Sequence, residues 1–337
     1  MITPLKLKKY DKSGMCQVYD KWPELAKEFF NMNQDSIDFK GIDHMVFVGM
    51  GGSGALGDTL FSSLSKTNMH LCVVKGYHLP KTVDSHTLVV ASSVSGNTPE
   101  TLTVLDKANK TNCKIVAFSS GGRMEKYCKK NRIEYRKIPM LNSPRASFPV
   151  YLYTMLNILN PVIPLKNHDV IESIRYLEKT RKQISSSNLN DSNPSIDLAS
   201  WLSGVPAIYY PMGLQAAAIR FKNSLQENAK MHVFAEDIIE ACHNGIVSWE
   251  RPSIVRPILI QGKDDYVKTK KLWKIIKEYF NLNKIDFKEV YSIRGNILSK
   301  IVNLVYLLDY ATIYRAILSN MDPTPIRSID FIKERMM

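Results

Sequence analysis

Residues 45–140 alternate strand-length apolar runs with helix-compatible polar stretches: MVFVGM, LCVVKG, TLVVASS, KIVAFSS and IEYRKIP, most running into Gly, Ser or Asn. The first four are continuously apolar, the pattern of strands buried on both faces of a parallel sheet with helical crossovers. A second round follows: VPAIYYP (205–211), a helix through LQAAAIRFKNSLQENAK, a strand in RPILIQG, a helical VKTKKLWKIIKEYF and a short strand in FKEVYSI. Between the rounds, the charged helical stretch 167–194 ends in KQISSSNLNDSNPS, whose Ser, Asn and Pro content reads as a connection. The expectation is an α/β protein of two doubly wound subdomains, each a mostly parallel sheet flanked by helices. They are expected at 1–160 and 195–337, joined by a helical connection at 161–194. The run NILSKIVNLVYLLDYATIYRAIL (296–318) is interrupted by Lys300, Asp309 and Arg315. A buried or dimer-facing helix is therefore expected there, not a membrane span. The closing DPTPIRSIDFIKERMM turns at two prolines and is expected to add a last helical turn or two.

With 337 residues and 45% hydrophobic positions the chain can build an ordinary core, and nothing in its composition suggests disorder. Lys and Arg number 45 against 32 Asp and Glu, a net charge of 45 − 32 = +13. The excess is spread along the chain and forms no dense basic block interleaved with aromatics, so neither nucleic acid nor membrane is expected as a partner. The first residues, MITPLKLKKYDKSG, lack the apolar core of a secretory signal, which makes a cytoplasmic location the expectation. Five scattered cysteines, Cys16, Cys72, Cys113, Cys128 and Cys242, show no C-x-x-C spacing and are expected to be inert thiols.

Candidate chemistry begins at the end of the first strand. In MGGSGALGD, Gly49, Gly51, Gly52 and Gly54 crowd a strand-to-helix turn beside Ser53, a turn that lets backbone approach an anion or sugar. A dinucleotide fingerprint fits poorly, because VVKGY stands where the ribose-binding acid belongs. After TLVVA come Ser92, Ser93, Val94, Ser95, Gly96, Asn97 and Thr98, with Pro99 and Glu100 opening a helix. Hydroxyls and amides gathered at the positive end of a helix make an anion nest suited to a phosphate that must bind and leave. Plain N-capping is the bland alternative.

The SxSGNT run following GMGGSG resembles the sugar isomerase (SIS) family, which binds phosphosugars on doubly wound α/β domains. SPRAS at 143–147, QENAK at 226–230, ACHNG at 241–245 and the closing DPTPI…IK narrow the resemblance to the archaeal bifunctional phosphoglucose/phosphomannose isomerases, over nearly the whole chain. The resemblance implies interconversion of glucose 6-phosphate or mannose 6-phosphate with fructose 6-phosphate through a cis-enediol, with no metal and no cofactor. It implies Glu227 as the base that moves the proton between C2 and C1. His243 would open and close the sugar ring, contributed across the interface of a homodimer with shared active sites. Arg145 would lie near the reacting carbons and Lys333 would be a C-terminal active-site lysine. Ser93, Ser95 and Thr98 would hold the phosphate, Gly52 and Ser53 would lie nearer the sugar, and Thr324 would position the C1–C2 region and admit the mannose epimer. The chain departs from the family pattern at Gly245, where an acidic residue commonly follows HN, and at Phe148-Pro149, where a small residue and Gly are usual.

A non-catalytic SIS-domain phosphosugar sensor is the main alternative, disfavoured by the joint presence of Glu227 and His243. The first forty residues are too short and too weakly patterned for the DNA-binding helices such sensors carry. The isomerase half of glucosamine-6-phosphate synthase shares the fold, but its cysteine amidotransferase domain has no counterpart in this sequence.

Overall fold

The computed structural model describes residues 2–336, which fold into two compact α/β units. One comprises Lys21–Glu178 and Gly295–Ile301; the other comprises the chain through Asp20, Lys179–Arg294 and the chain from Val302 onward. These units cut the chain differently from the expected 1–160, 161–194 and 195–337.

The first unit holds a five-stranded, wholly parallel sheet of β1 (His44–Val48), β2 (His70–Val74), β3 (Thr87–Ser93), β4 (Lys114–Ser119) and β5 (Glu134–Lys137) in the order β2-β1-β3-β4-β5. Every residue of β3 is buried, which is why TLVVASS carries no polar alternation, whereas the edge strand β5 is the polar EYRK. Val46, Val48 and Val89 pack with Val104 and Ala108 of the helix Pro99–Ala108, and Ala91 packs with Leu105 of the same helix in a second cluster. Chain direction across the sheet reverses between β1 and β3. The crevice beyond their carboxyl ends is the place where open α/β sheets bind ligands.

The second unit holds a four-stranded parallel sheet of β6 (Val205–Tyr210), β7 (Phe234–Asp237), β8 (Val255–Gln261) and β9 (Lys288–Tyr291), ordered β7-β6-β8-β9. Tyr209, Leu259, Trp249, Trp273 and Phe280 belong to one core cluster of this unit, with the Trp249 indole N–H donating to the Tyr209 hydroxyl at 2.9 Å. The reversal here lies between β6 and β8.

Of three expected helical stretches, two are met and the tail changes in detail. The 167–194 stretch is largely the helix Asn167–Ile184, in which the two units divide between Glu178 and Lys179, and its Val170, Ile174, Leu177 and Ile184 are also core residues. The tail forms a ten-residue helix, Arg327–Met336, longer than a turn or two. The helix Ile297–Leu318 is long and apolar enough to cross a membrane, yet 83% of its apolar window is buried inside the protein.

Candidate functional site

At the carboxyl ends of β1 and β3 the structure gathers six of the residues singled out from the sequence. The helix Gly51–Leu64 starts directly after β1, and the helix Pro99–Ala108 starts after the SSVSGNT loop. Among the described residues, neither start has a side-chain cap, so first-turn N–H groups of both helices remain to meet an anion. Plain N-capping therefore does not account for Thr98. Its hydroxyl instead lies 2.9 Å from that of buried Ser93. Ser53 bridges the two loops, its Oγ accepting from the Val94 N–H at 3.2 Å. Ser95 is exposed, and its Oγ accepts from the Asn97 N–H at 3.3 Å.

The loop is fixed from behind by the end of β4. The Ser120 N–H and hydroxyl both donate to the Val94 carbonyl, at 3.1 and 2.7 Å, and the Met124 N–H donates to the Gly96 carbonyl at 2.8 Å. Gly96 has φ +68°, and a Cβ there would stand 1.8 Å from the Gly121 carbonyl oxygen, so only glycine fits. Asn97 Oδ1 accepts from the Arg123 N–H at 3.0 Å. These β4 contacts escaped the sequence reading. The run FSSGGR has the same apolar-strand, Ser-Ser, Gly grammar as SSVSGNT and could have been read the same way.

SPRAS forms a turn beside the first of these helix starts, ahead of the helix Phe148–Ile158: a Cβ on Gly52 would stand 3.4 Å from the Pro144 carbonyl and 3.5 Å from the Arg145 nitrogen. The helix that follows is opened by Phe148-Pro149, so Arg145 precedes the helix start. The Trp22 indole N–H donates to the Ala146 carbonyl at 3.1 Å, the Trp22 ring stacks on Phe148, and Ser147 Oγ donates to the Ser143 carbonyl at 2.9 Å. So held, Arg145 is only 4% exposed, an unusual burial for a guanidinium.

The other unit carries the remaining candidates. Glu227 is half-buried near the end of the helix Gln215–Ala229. The helix stops at Lys230, which adopts φ +53° and caps it through its N–H to the Leu225 carbonyl. The Lys230 ammonium reaches the carbonyls of Glu227 at 2.8 Å and of Asp322 and Pro323 at 3.3 and 3.4 Å, tying the end of QENAK to DPTPI. Thr324 follows in that segment, half-buried, its N–H donating to Asp322 Oδ1 at 2.9 Å. The end of the Glu227 helix and the Asp322-Pro323 segment leading to Thr324 thus meet at one lysine that the sequence alone did not single out.

His243 and Lys333 are not gathered with them in this way. His243 is exposed on the turn after the short helix Ile238–Ala241, its N–H donating to the Glu240 carbonyl at 2.9 Å, and Lys333 is exposed on Arg327–Met336. At Gly245, the departure from the family pattern, a Cβ would stand 2.6 Å from Glu236 Oε2, the movable end of a side chain. An acidic group therefore does lie beside this turn, supplied by β7. Burial, then Glu240 and Asp237, push the Glu236 carboxyl up from its ordinary value.

Among the described residues no group of three or more His, Cys, Asp and Glu is placed to hold a metal ion. The cysteines are unpaired thiols, and burial pushes Cys128 up to about 11, the inert form.

Comparison with known proteins bears on both units. Residues 191–336 match the family described as the bacterial phospho-glucose isomerase C-terminal SIS domain. A bifunctional phosphoglucose/phosphomannose isomerase of Caldicellulosiruptor bescii is 29% identical over 331 residues, covering 93% of this chain and 96% of the relative. A D-glucosamine-6-phosphate 4-epimerase of Sulfolobus acidocaldarius is 27% identical over 324 residues, covering 95% and 97%. A bifunctional phosphoglucose/phosphomannose isomerase of Pyrobaculum calidifontis is 30% identical over 230 residues, covering 67% of this chain and 69% of the relative. Two parallel α/β sheets, a hydroxyl-lined crevice after β3 and this set of relatives agree: the chain belongs to the bifunctional phosphoglucose/phosphomannose isomerase family of SIS-domain proteins.

Proposed function

We propose that the protein is a sugar-phosphate isomerase that interconverts glucose 6-phosphate, and mannose 6-phosphate, with fructose 6-phosphate without a metal. The observation that carries this reading is the crevice beyond β1 and β3, where two uncapped helix starts and the hydroxyls of Ser93 and Thr98 offer neutral donors to one anion. A phosphate held by amides and hydroxyls is bound tightly enough to orient the sugar and still released.

The chemistry assigned to the other candidates follows from the reaction. Aldose-to-ketose conversion removes the proton on C2, passes through a cis-enediol(ate) and returns a proton to C1. Glu227 is the base that takes the first and delivers the second. His243 moves a proton between the anomeric hydroxyl and the ring oxygen in ring opening. Arg145 steadies the negative charge that builds on the enediolate oxygen, with Lys333 as a second cation. Ser95 and the Gly52–Ser53 turn complete the phosphate and sugar contacts, and Thr324 positions C1 and C2 so that either C2 epimer is accepted. The exposure of His243 fits its contribution to a partner's pocket in a cytoplasmic homodimer.

The direct test is a coupled assay for fructose 6-phosphate from each aldose phosphate, with and without EDTA, and with glucosamine 6-phosphate as a third substrate. Turnover of glucose 6-phosphate and mannose 6-phosphate that survives the chelator is expected. Loss of turnover in EDTA would contradict the metal-free route. Conversion of glucosamine 6-phosphate alone, by change of configuration at C4, would move the protein to the epimerase reading.

A further inference from the structure

Arg220, Ser224 and Glu227 stand at intervals of four and three residues on the helix Gln215–Ala229, which places them along one stripe of its surface. Asp309, fully buried on the helix Ile297–Leu318, receives this stripe. It accepts from Arg220 through Nε at 3.0 Å and Nη2 at 2.6 Å, from Ser224 Oγ at 2.8 Å and from the Tyr19 hydroxyl at 3.1 Å. One turn further, Asn228 Nδ2 donates to Thr312 Oγ1, which donates to the Asp309 carbonyl, both at 2.7 Å. The helix that bears Glu227 is therefore keyed to its neighbour by a run of polar contacts at these positions.

Arg220 is 3% exposed. Burial works against its charge, while Asp309, Tyr19 and Glu227 together hold it firmly protonated. Two helices can be packed as well by apolar side chains, and replacing a buried ion pair with such residues is commonly neutral or stabilising. The network therefore points to a role besides cohesion. What it achieves that leucines could not is a cation of fixed orientation two turns before the carboxylate of Glu227.

We propose that Arg220 is a positioning residue for Glu227: held by Asp309, which Ser224 and Tyr19 fix in turn, its guanidinium sets the direction of the carboxylate and so the point at which a proton is taken and returned. This rests on Glu227 being the base.

The test is the double variant Arg220→Met/Asp309→Leu, which removes both charges together and leaves no stranded ion. With its melting temperature at or above the parent's, kcat for fructose 6-phosphate formation should fall about 10–100-fold while KM stays within about twofold, as misplacement of a reacting group does. A role in folding alone predicts parental kcat once the fold is intact, and a kcat within about threefold of the parent would overturn the proposal. Should the double variant fail to fold, Arg220→Lys is read instead, because it keeps the charge and loses the fork. A drop in kcat of about fivefold or more at unchanged KM supports positioning, and parental kinetics refute it. Glu227→Gln, measured alongside, separates the two claims. If it is active, the base assignment fails. If it is inactive while the double variant runs at parental speed, only the role of Arg220 fails.

Discussion

Ser93 and Thr98 face each other across 2.9 Å at the mouth of β3: one hydroxyl donates to the other, which orders the two hydroxyls and leaves the accepting one free to donate to a phosphate. Ser93→Ala removes one of them. A hydrogen bond to a charged group contributes about 1.5–3 kcal/mol, so KM for the sugar phosphate should rise roughly tenfold or more while kcat changes little, read from steady-state kinetics. The hydroxyl cluster was legible in the sequence because four such side chains beside a helix-opening proline exceed what capping needs. The burial of Arg145 was not. It depends on Trp22, more than a hundred residues away, donating to the Ala146 carbonyl. Lys230 was equally illegible, because a lysine one residue past a helix looks solvated until its ammonium is seen on the carbonyls of Glu227 and Pro323.

The strands were the most legible elements. Burial on both faces leaves no room for alternation, so TLVVASS and KIVAFSS announced themselves, while the partly exposed β9 yielded only a short segment. The helix Asn167–Ile184 was legible as a helical connection, and the two units divide within it, between Glu178 and Lys179; its core contacts were not legible, because its charged face masks the spacing of Val170, Ile174 and Leu177. The loop after β3 depends on its backbone geometry as much as on its hydroxyls. Gly96→Ala forces a side chain at positive φ into the Gly121 carbonyl. We expect it to cost roughly 2–4 kcal/mol in chemical denaturation and to abolish detectable sugar-phosphate binding in calorimetry. Wild-type stability and affinity in that variant would show that the loop is not held as described.

At the scale of the whole molecule, two rounds of the same α/β grammar gave away the two sheets, but not how the chain is shared between them. Residues before Asp20 belong with the C-terminal sheet because Tyr19 donates to Asp309, a contact 290 positions apart that no local pattern encodes. The proposed sharing of active sites between two copies makes a prediction at this scale too. Glu227→Gln and His243→Ala chains, each inactive alone, should regain about half of parental activity in verified heterodimers, because one of the two pockets then carries both intact groups. No recovery would mean that each chain completes its own site. The central claim, proton transfer by Glu227 on a hexose phosphate, is tested most directly by NMR of fructose 6-phosphate incubated with the protein in D2O. The wild type should form glucose 6-phosphate and mannose 6-phosphate with deuterium appearing at the reacting carbons. Glu227→Gln should still bind the sugar but incorporate deuterium at least about a hundredfold more slowly. Deuterium entering at the wild-type rate in that variant would contradict the account.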